Sequence, residues 1–261
     1  MTPARLRSAP HLSAHWPDIA ARLRGSPQVA VFFDFDGTLV AFAARPTLVR
    51  LSNPMRQVLS RLARNSRLTL FVISGRRQAD LARQLGIAEI QYLGLYGWED
   101  GHPLHVTESA REALLRAHDW LSLRQSRYPG LWLEDKGVSL SVHVRDVHPG
   151  AHPRLRHDLR RLLRHLGPAV RLINNRHDAE LVPRAVGDKG EAVRRVLARA
   201  RLRRALPVYF GNDLSDESAF AAVSHGLAVI VGSVGPTRAH YAIPRRAGLL
   251  PTIRRLEAAL P

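Results

Sequence analysis

Two carboxylates two positions apart, Asp34 and Asp36, lie in the run Asp34-Phe-Asp-Gly-Thr38, directly after the apolar stretch Val29 to Phe33. Carboxylates this close, followed by a glycine that lets the chain turn sharply, make a compact oxygen-rich site. Such a site suits Mg²⁺, a hard ion that prefers carboxylate, carbonyl and water oxygens. An aspartate placed there can also act as a nucleophile, forming an aspartyl phosphate that divides one difficult displacement into two. Other chemistries lack their residues. There are no cysteines to serve as thiol nucleophiles or zinc ligands. The 13 histidines show no His-Glu-x-x-His spacing, and neither a Gly-x-Ser-x-Gly elbow nor a Gly-x-x-x-x-Gly-Lys-Ser/Thr loop occurs.

The elements that must position these residues follow from patterning. Val29 to Phe33 reads as a buried strand ending at the two aspartates, where open α/β sheets bind ligands. Asn53-Pro54 opens a helix to about Asn65, Leu68 to Ile73 is a second buried strand running into Ser74-Gly-Arg76, and Ile90 to Leu93 is a third. From Lys189 the rhythm resumes: a helix to about Ala200, the strand Pro207 to Phe210, a helix from about Ser215 and the strand Leu227 to Val231. Between these lie a helix opened by a capping box at Ser109–Glu112, strands at 131–134 and 138–144, a basic helix at 151–166, and strands at 170–173 and 180–182. The fold class expected is α/β: a doubly wound parallel-sheet (Rossmann-like) core over 29–105 and 184–261, with an inserted α+β cap domain at 106–183. Residues 1–28, basic and punctuated by proline, are expected to form a short helix or arm outside the core.

The whole chain sets limits on partners. Its 261 residues, 45% of them hydrophobic, suit a globular protein of one large domain or two modest ones. No apolar run approaches the roughly 18 residues of a membrane span, and no secretory leader is visible, so a cytoplasmic protein without a membrane partner is expected. The formal charge of +17 suggests nucleic acid, but 37 of the 39 basic residues are arginine and they spread over the whole chain. In the densest run Arg154, Arg161 and Arg164 alternate with Leu155, Leu159, Leu162 and Leu163, as on an amphipathic helix with a solvated basic face. Nucleic acid is therefore not the expected partner, and the oligomeric state is left open. Against this background Lys136 and Lys189 stand out as positions where a compact ammonium is wanted and a planar guanidinium is not.

Four motifs in order carry a resemblance: Asp34-Phe-Asp-Gly-Thr-Leu39, Ser74-Gly-Arg76, Lys189 at a helix start, and Gly211-Asn-Asp-Leu-Ser-Asp-Glu217 after a core strand. Together they resemble the haloacid dehalogenase superfamily of phosphotransferases. With Glu134-Asp-Lys136 and Glu180-Leu-Val-Pro183 they look most like its trehalose-6-phosphate phosphatase family, and both lysines fall on motif positions. The resemblance implies Mg²⁺-dependent hydrolysis of a disaccharide phosphate, trehalose 6-phosphate first, through an aspartyl phosphate. In it Asp34 is the nucleophile, Asp36 the acid and then the base, and Ser74 and Lys189 hold phosphoryl oxygens. Gly75, Arg76, Glu134, Lys136 and Glu180 contact substrate, and Asp34, Asp36, Asn212 and Asp213 hold the metal. The cap is expected to close over the core as a lid.

Three departures are visible. Gly211-Asn212-Asp213 stands where the family has Gly-Asp-Asp, so either Asn212 ligates the metal without charge, or Asp213 or Asp216 takes over. Gly94-Leu-Tyr-Gly97 replaces a Gly-x-His-Gly turn, and Ala41 a proline. These leave open another glycosyl or polyol phosphate, of glucosylglycerol or mannosylglycerate type, and a polyanion-binding protein on a weakened phosphatase core. Trp98 and Trp132 are read as packing residues rather than sugar platforms, and the histidines at 143, 148, 152, 157 and 165 as surface residues.

Overall fold

The computed structural model describes residues 8–43, 45–102, 104–175, 178–232 and 235–260; residues 1–7 of the expected arm lie outside them. The chain divides into two units, one made of residues up to 102 and from 188 onward, the other of residues 103–187. In chain order the first unit begins with α1 (Trp16–Gly25), β1 (Val29–Asp34), α2 (Asn53–Ala63), β2 (Leu68–Ile73), α3 (Gln78–Leu85) and β3 (Gln91–Leu93). The second unit contains α4 (Glu108–Ser122), β4 (Trp132–Asp135), β5 (Leu140–His143), α5 (His152–Leu166), β6 (Val170–Asn174) and β7 (Asp178–Pro183). The first unit then resumes with α6 (Lys189–Leu197), β8 (Leu206–Gly211), α7 (Glu217–Ala222), β9 (Leu227–Val231), β10 (Tyr241–Ile243) and α8 (Leu249–Ala259).

The core sheet is parallel, in the order β10-β9-β8-β1-β2-β3. Every residue of β1 is buried, which is why it reads as an unbroken apolar run and not an alternating one. Val29, Val31 and Phe33 face a cluster holding residues of α1, α2, α3 and α8. Ala30 and Phe32 face the opposite cluster with Ala192, Val193 and Val196 of α6 and Phe220 of α7. Phe32 stacks on Phe71 of β2 at 4.6 Å, and Phe33 on Phe210 of β8 at 5.2 Å. β1 is thus flanked by β2 on one side and β8 on the other, the reversal point at which parallel sheets open a crevice at their carboxyl ends.

The segment before β1 corrects one expectation. Leu12, Ile19, Ala20 and Leu23 are buried in the same cluster as Val29 and as Leu249, Ile253 and Leu256 of α8, so described residues 8–28 belong to the core and are not an arm outside it. Ile19 and Leu23 sit four apart on one helical stripe, while Arg22 and Arg24 on the other face gave the segment its polar composition. Similarly, α4 is capped by Thr107, whose hydroxyl accepts from Ala110 N, and not by Ser109.

In the second unit an antiparallel sheet runs β4-β5-β7-β6. Register pairs Trp132 with His143, Glu134 with Ser141, and Ser141 with Glu180, so these side chains share one face. The other face carries Leu140, Val142, Ala179 and Leu181, all buried, with α4 and α5 packed against the sheet. α5 buries Leu155, Leu159, Leu162 and Leu166 and leaves its arginines exposed. No helix among the described residues is long and apolar enough to cross a membrane.

Candidate active site

Asp34, the last residue of β1, is 5% exposed. Its Oδ1 accepts from Lys189 Nζ at 2.6 Å, and the same ammonium donates to Asp216 Oδ1 at 2.7 Å. Lys189 reaches both from the first turn of α6, whose N-terminus is fixed by a capping box between Asp188 and Glu191. Burial holds the Asp34 carboxyl above the usual carboxylate range, and the Lys189 ammonium offsets only part of that rise. Burial alone would depress Lys189, yet the charges of Asp216 and Asp34 outweigh it and keep the ammonium protonated.

Asp216 is fully buried and completely engaged. Oδ1 accepts from Lys189 and from the Tyr209 hydroxyl at 2.7 Å, and Oδ2 accepts from the backbone N–H groups of Asn212 and Asp213, each at 2.9 Å. A carboxylate has about four acceptor sites, and those of Asp216 are all taken up by these four donors. It is the anchor that shapes the 211–217 loop. Asp213 turns its carboxylate to Leu214 N at 2.7 Å and caps the short helical turn that follows.

The Asp36 carboxylate is gripped by Arg76, Nε to Oδ2 and Nη2 to Oδ1, both at 2.7 Å. Arg76, expected as a substrate contact, here holds Asp36 in place through a bidentate fork. The chain turns away at Gly37, whose φ of +87° favours glycine. A Cβ there would lie 2.2 Å from the Asn212 amide. Asn212 comes from the end of β8, next to β1, and its amide end facing β1 lies 2.8 Å from Asp34 Oδ2, 3.0 Å from the Asp36 carbonyl and 3.1 Å from Thr38 Oγ1. An octahedral Mg²⁺ with ligands at about 2.1 Å spaces neighbouring oxygens about 3 Å apart. With Oδ1 in that position, Asp34 Oδ2, the Asp36 carbonyl and Asn212 Oδ1 fit a small divalent cation. No group of three or more His, Asp or Glu side chains among the described residues is arranged to hold one; this donor set draws on a backbone carbonyl and an amide instead.

Ser74 directly follows β2, is 3% exposed and accepts from Arg76 N at 3.2 Å, which shapes the Ser74-Gly75-Arg76 turn. A second loop braces that turn: Leu95 N donates to Arg76 O and Tyr96 N to Ser74 O, each at 2.8 Å. Leu95 (φ +46°) and Tyr96 (φ +60°) are both in the left-handed region without being glycine, backbone strain of the kind found beside functional sites. Glu99, which sequence reasoning missed, joins this loop to α3 by accepting from Arg77 Nε at 2.5 Å and Gln78 N at 2.6 Å. Tyr209 was also missed; its one signal is a hydroxyl two positions before Gly211 in an otherwise apolar strand.

On the polar face of the second unit, Lys136 Nζ donates to Glu180 Oε1 at 3.0 Å and Ser139 Oγ to the same oxygen at 2.7 Å. Glu134 Oε2 lies 2.9 Å from His143 Nε2, and Trp132 stacks on that ring at 4.3 Å. His143 is thus a paired residue of this face. Burial opposes the charge on Lys136, but Glu180 and Glu134 raise it above its ordinary value. The structure therefore gathers Glu134, Lys136 and Glu180 on one face, and separately gathers Asp34, Asp36, Ser74, Arg76, Lys189 and Asn212 at the strand ends of the core.

A parallel core with an inserted α+β unit and a lysine-paired aspartate ending its central strand is the fold of haloacid dehalogenase-like phosphatases. The C-terminal domain of trehalose-6-phosphate phosphatase from C. albicans matches 96% of this chain and 99% of its own with a TM-score of 0.82 at 22% identity. The sucrose-phosphatase of Synechocystis matches 88% and 98% with a TM-score of 0.54 at 20% identity. A family model described as trehalose-phosphatase matches residues 32–245. The trehalose-phosphate phosphatase of Mycobacterium avium is 32% identical over 236 residues, 85% of this chain and 59% of that protein. That of Mycobacterium tuberculosis is 32% identical over 215 residues, 78% of this chain and 54% of that protein. The chain thus spans little more than half the length of these curated relatives. It belongs to the trehalose-phosphatase family.

Proposed function

We propose that the chain is a Mg²⁺-dependent phosphatase of a disaccharide phosphate, trehalose 6-phosphate first, acting through an aspartyl phosphate on Asp34. One observation carries the reading: a buried carboxylate held between an ammonium and an amide at the end of the central strand, with a second carboxylate two residues on. In the first step an Asp34 oxygen forms a bond to phosphorus while the bond from phosphorus to the sugar oxygen breaks, and Asp36 protonates the departing oxygen. In the second, Asp36 takes a proton from water, which attacks phosphorus, releases phosphate and restores the Asp34 carboxylate. To do either, Asp36 must exchange its fork with Arg76 for the substrate. Lys189 and Ser74 hold phosphoryl oxygens against developing charge. The cation, held by Asp34, the Asp36 carbonyl and Asn212, supplies further charge neutralisation when bound.

Glu134, Lys136 and Glu180 are proposed to meet sugar hydroxyls, which carboxylates accept from and an ammonium donates to, so that a sugar without them leaves buried groups unpaired. The second reading keeps the chemistry and changes the sugar, to a glycosyl or polyol phosphate. It is favoured by the Leu95-Tyr96 loop, which departs from the family pattern beside Ser74.

The test is phosphate release, with and without Mg²⁺, from trehalose 6-phosphate, sucrose 6-phosphate, glucose 6-phosphate and glucosylglycerol phosphate. Mg²⁺-dependent turnover is expected, with kcat/KM highest for trehalose 6-phosphate and none from Asp34→Asn. A higher kcat/KM for glucosylglycerol phosphate would favour the second reading. Comparable release by Asp34→Asn would reject the nucleophile.

A further inference from the structure

An amide's oxygen and nitrogen have nearly the same shape, and their partners decide which points where. At Asn212 both orientations have a physical basis. With Nδ2 toward β1, the amide donates to Asp34 Oδ2 at 2.8 Å and to the Asp36 carbonyl at 3.0 Å, with Thr38 Oγ1 at 3.1 Å. With Oδ1 there, it accepts from Thr38 Oγ1 at 3.1 Å and faces two further oxygens that only a cation can reconcile. The Thr38 hydroxyl, fully buried, serves both orientations because it can donate or accept. Gly37 leaves room on the other side, where a Cβ would lie 2.2 Å from the amide.

We propose that Asn212 is a two-position closure of the cation site: Nδ2 inward, it bridges Asp34 and Asp36 and turns its hydrogens toward the cation's place; Oδ1 inward, it becomes a ligand. The inference rests on the Mg²⁺-dependent reading above. An aspartate at 212 has no such bridge to offer, since two carboxylates 2.8 Å apart repel until a cation lies between them. Charge points the same way. An amide at 212 brings no charge to the site, whereas an aspartate there would bring one. Mg²⁺ must therefore displace an internal hydrogen-bonded bridge and finds less charge when it has done so. Phosphate oxygens of the substrate make up the difference, so that cation and substrate load together.

The experiment compares the full chain with Asn212→Asp, measuring Mg²⁺ affinity by calorimetry and melting temperature in EDTA. Asn212→Asp is expected to bind Mg²⁺ at least tenfold more tightly and to melt several degrees lower in EDTA, two changes of opposite sign. Unchanged values, or a looser Mg²⁺ site, overturn the proposal. Should Asn212→Asp not fold, the side-chain amide signal of Asn212 in the unsubstituted protein, assigned with Asn212→Ser, gives a second readout. An NH₂ pair protected from exchange in EDTA that shifts as Mg²⁺ saturates supports the closure; a pair indifferent to Mg²⁺ overturns it. Neither readout uses a sugar phosphate, so a wrong substrate and a wrong role for Asn212 are told apart.

Discussion

Lys189 donates to two carboxylates, 2.6 and 2.7 Å away, from a pocket that leaves it 3% exposed. A guanidinium presents a flat fork and would need a wider opening, which accounts for a lysine in a chain that otherwise uses arginine. Removing the charge is the more severe change. Lys189→Met should leave Asp34 and Asp216 buried without their partner, costing about 3–5 kcal/mol of stability. Urea denaturation would measure it, and a loss below about 1 kcal/mol would contradict the buried pairing. Both lysines could be singled out from residue counts alone, and so could the aspartates, because their order along the chain carries the chemistry. The duty of Asp216 could not. Its four hydrogen bonds come from three places along the chain, and a sequence does not display their convergence. For the same reason the two orientations of the Asn212 amide have no trace in the residue order.

At the scale of elements, β1, β2 and β9 were legible because strands buried on both faces are continuous apolar runs. β10 and α8 were not foreseen, and α1 was misjudged where arginines and a proline masked its buried stripe. The left-handed residues Leu95 and Tyr96 were invisible for a simpler reason: glycine is the residue that signals such a backbone, and neither is glycine. Gly97 does carry that signal, with φ +92°, and a Cβ there would lie 2.2 Å from Ala192 Cβ on α6. The loop that braces Ser74 is thereby packed against the helix that carries Lys189. In the second unit, the buried Tyr128 before β4 donates to Asp158 of α5 at 2.6 Å. Burial, with the Asp158 charge, pushes its hydroxyl up to about 12. The raised value means that this stabilisation is complete below the ordinary tyrosine pKa of about 10 and is lost as pH rises through about 12. The stability gap between the protein and Tyr128→Phe should therefore be constant from pH 7 to 9 and close between pH 10 and 12. Denaturant melts across that range would show it, and a gap that widened would contradict the sign.

For the whole molecule, only part of the charge of +17 is taken up in internal contacts. The arginines of α5 stand in solvent, Arg76 grips Asp36, Arg61 pairs with Glu257, and Arg171 donates to the carbonyls of Val186 and Gly187. The strand order has a different consequence, one of time. Asp34 and Lys189 are separated by 155 residues and Thr38 and Asn212 by 174, and β8, the neighbour that completes the site, begins at residue 206. A ribosome adding about 5–20 residues per second needs roughly 8–30 s to cover the first interval. Throughout it the nascent chain exposes the edge of β1 where β8 will pair, while residues 103–187 emerge as one contiguous block. Translation thus delivers the inserted unit complete before the catalytic strand has both neighbours. Ribosome-arrested chains ending near residue 200, outside the exit tunnel, should then show protease resistance concentrated in 103–187; equal resistance across residues 8–102 would mean that the half-sheet holds without β8.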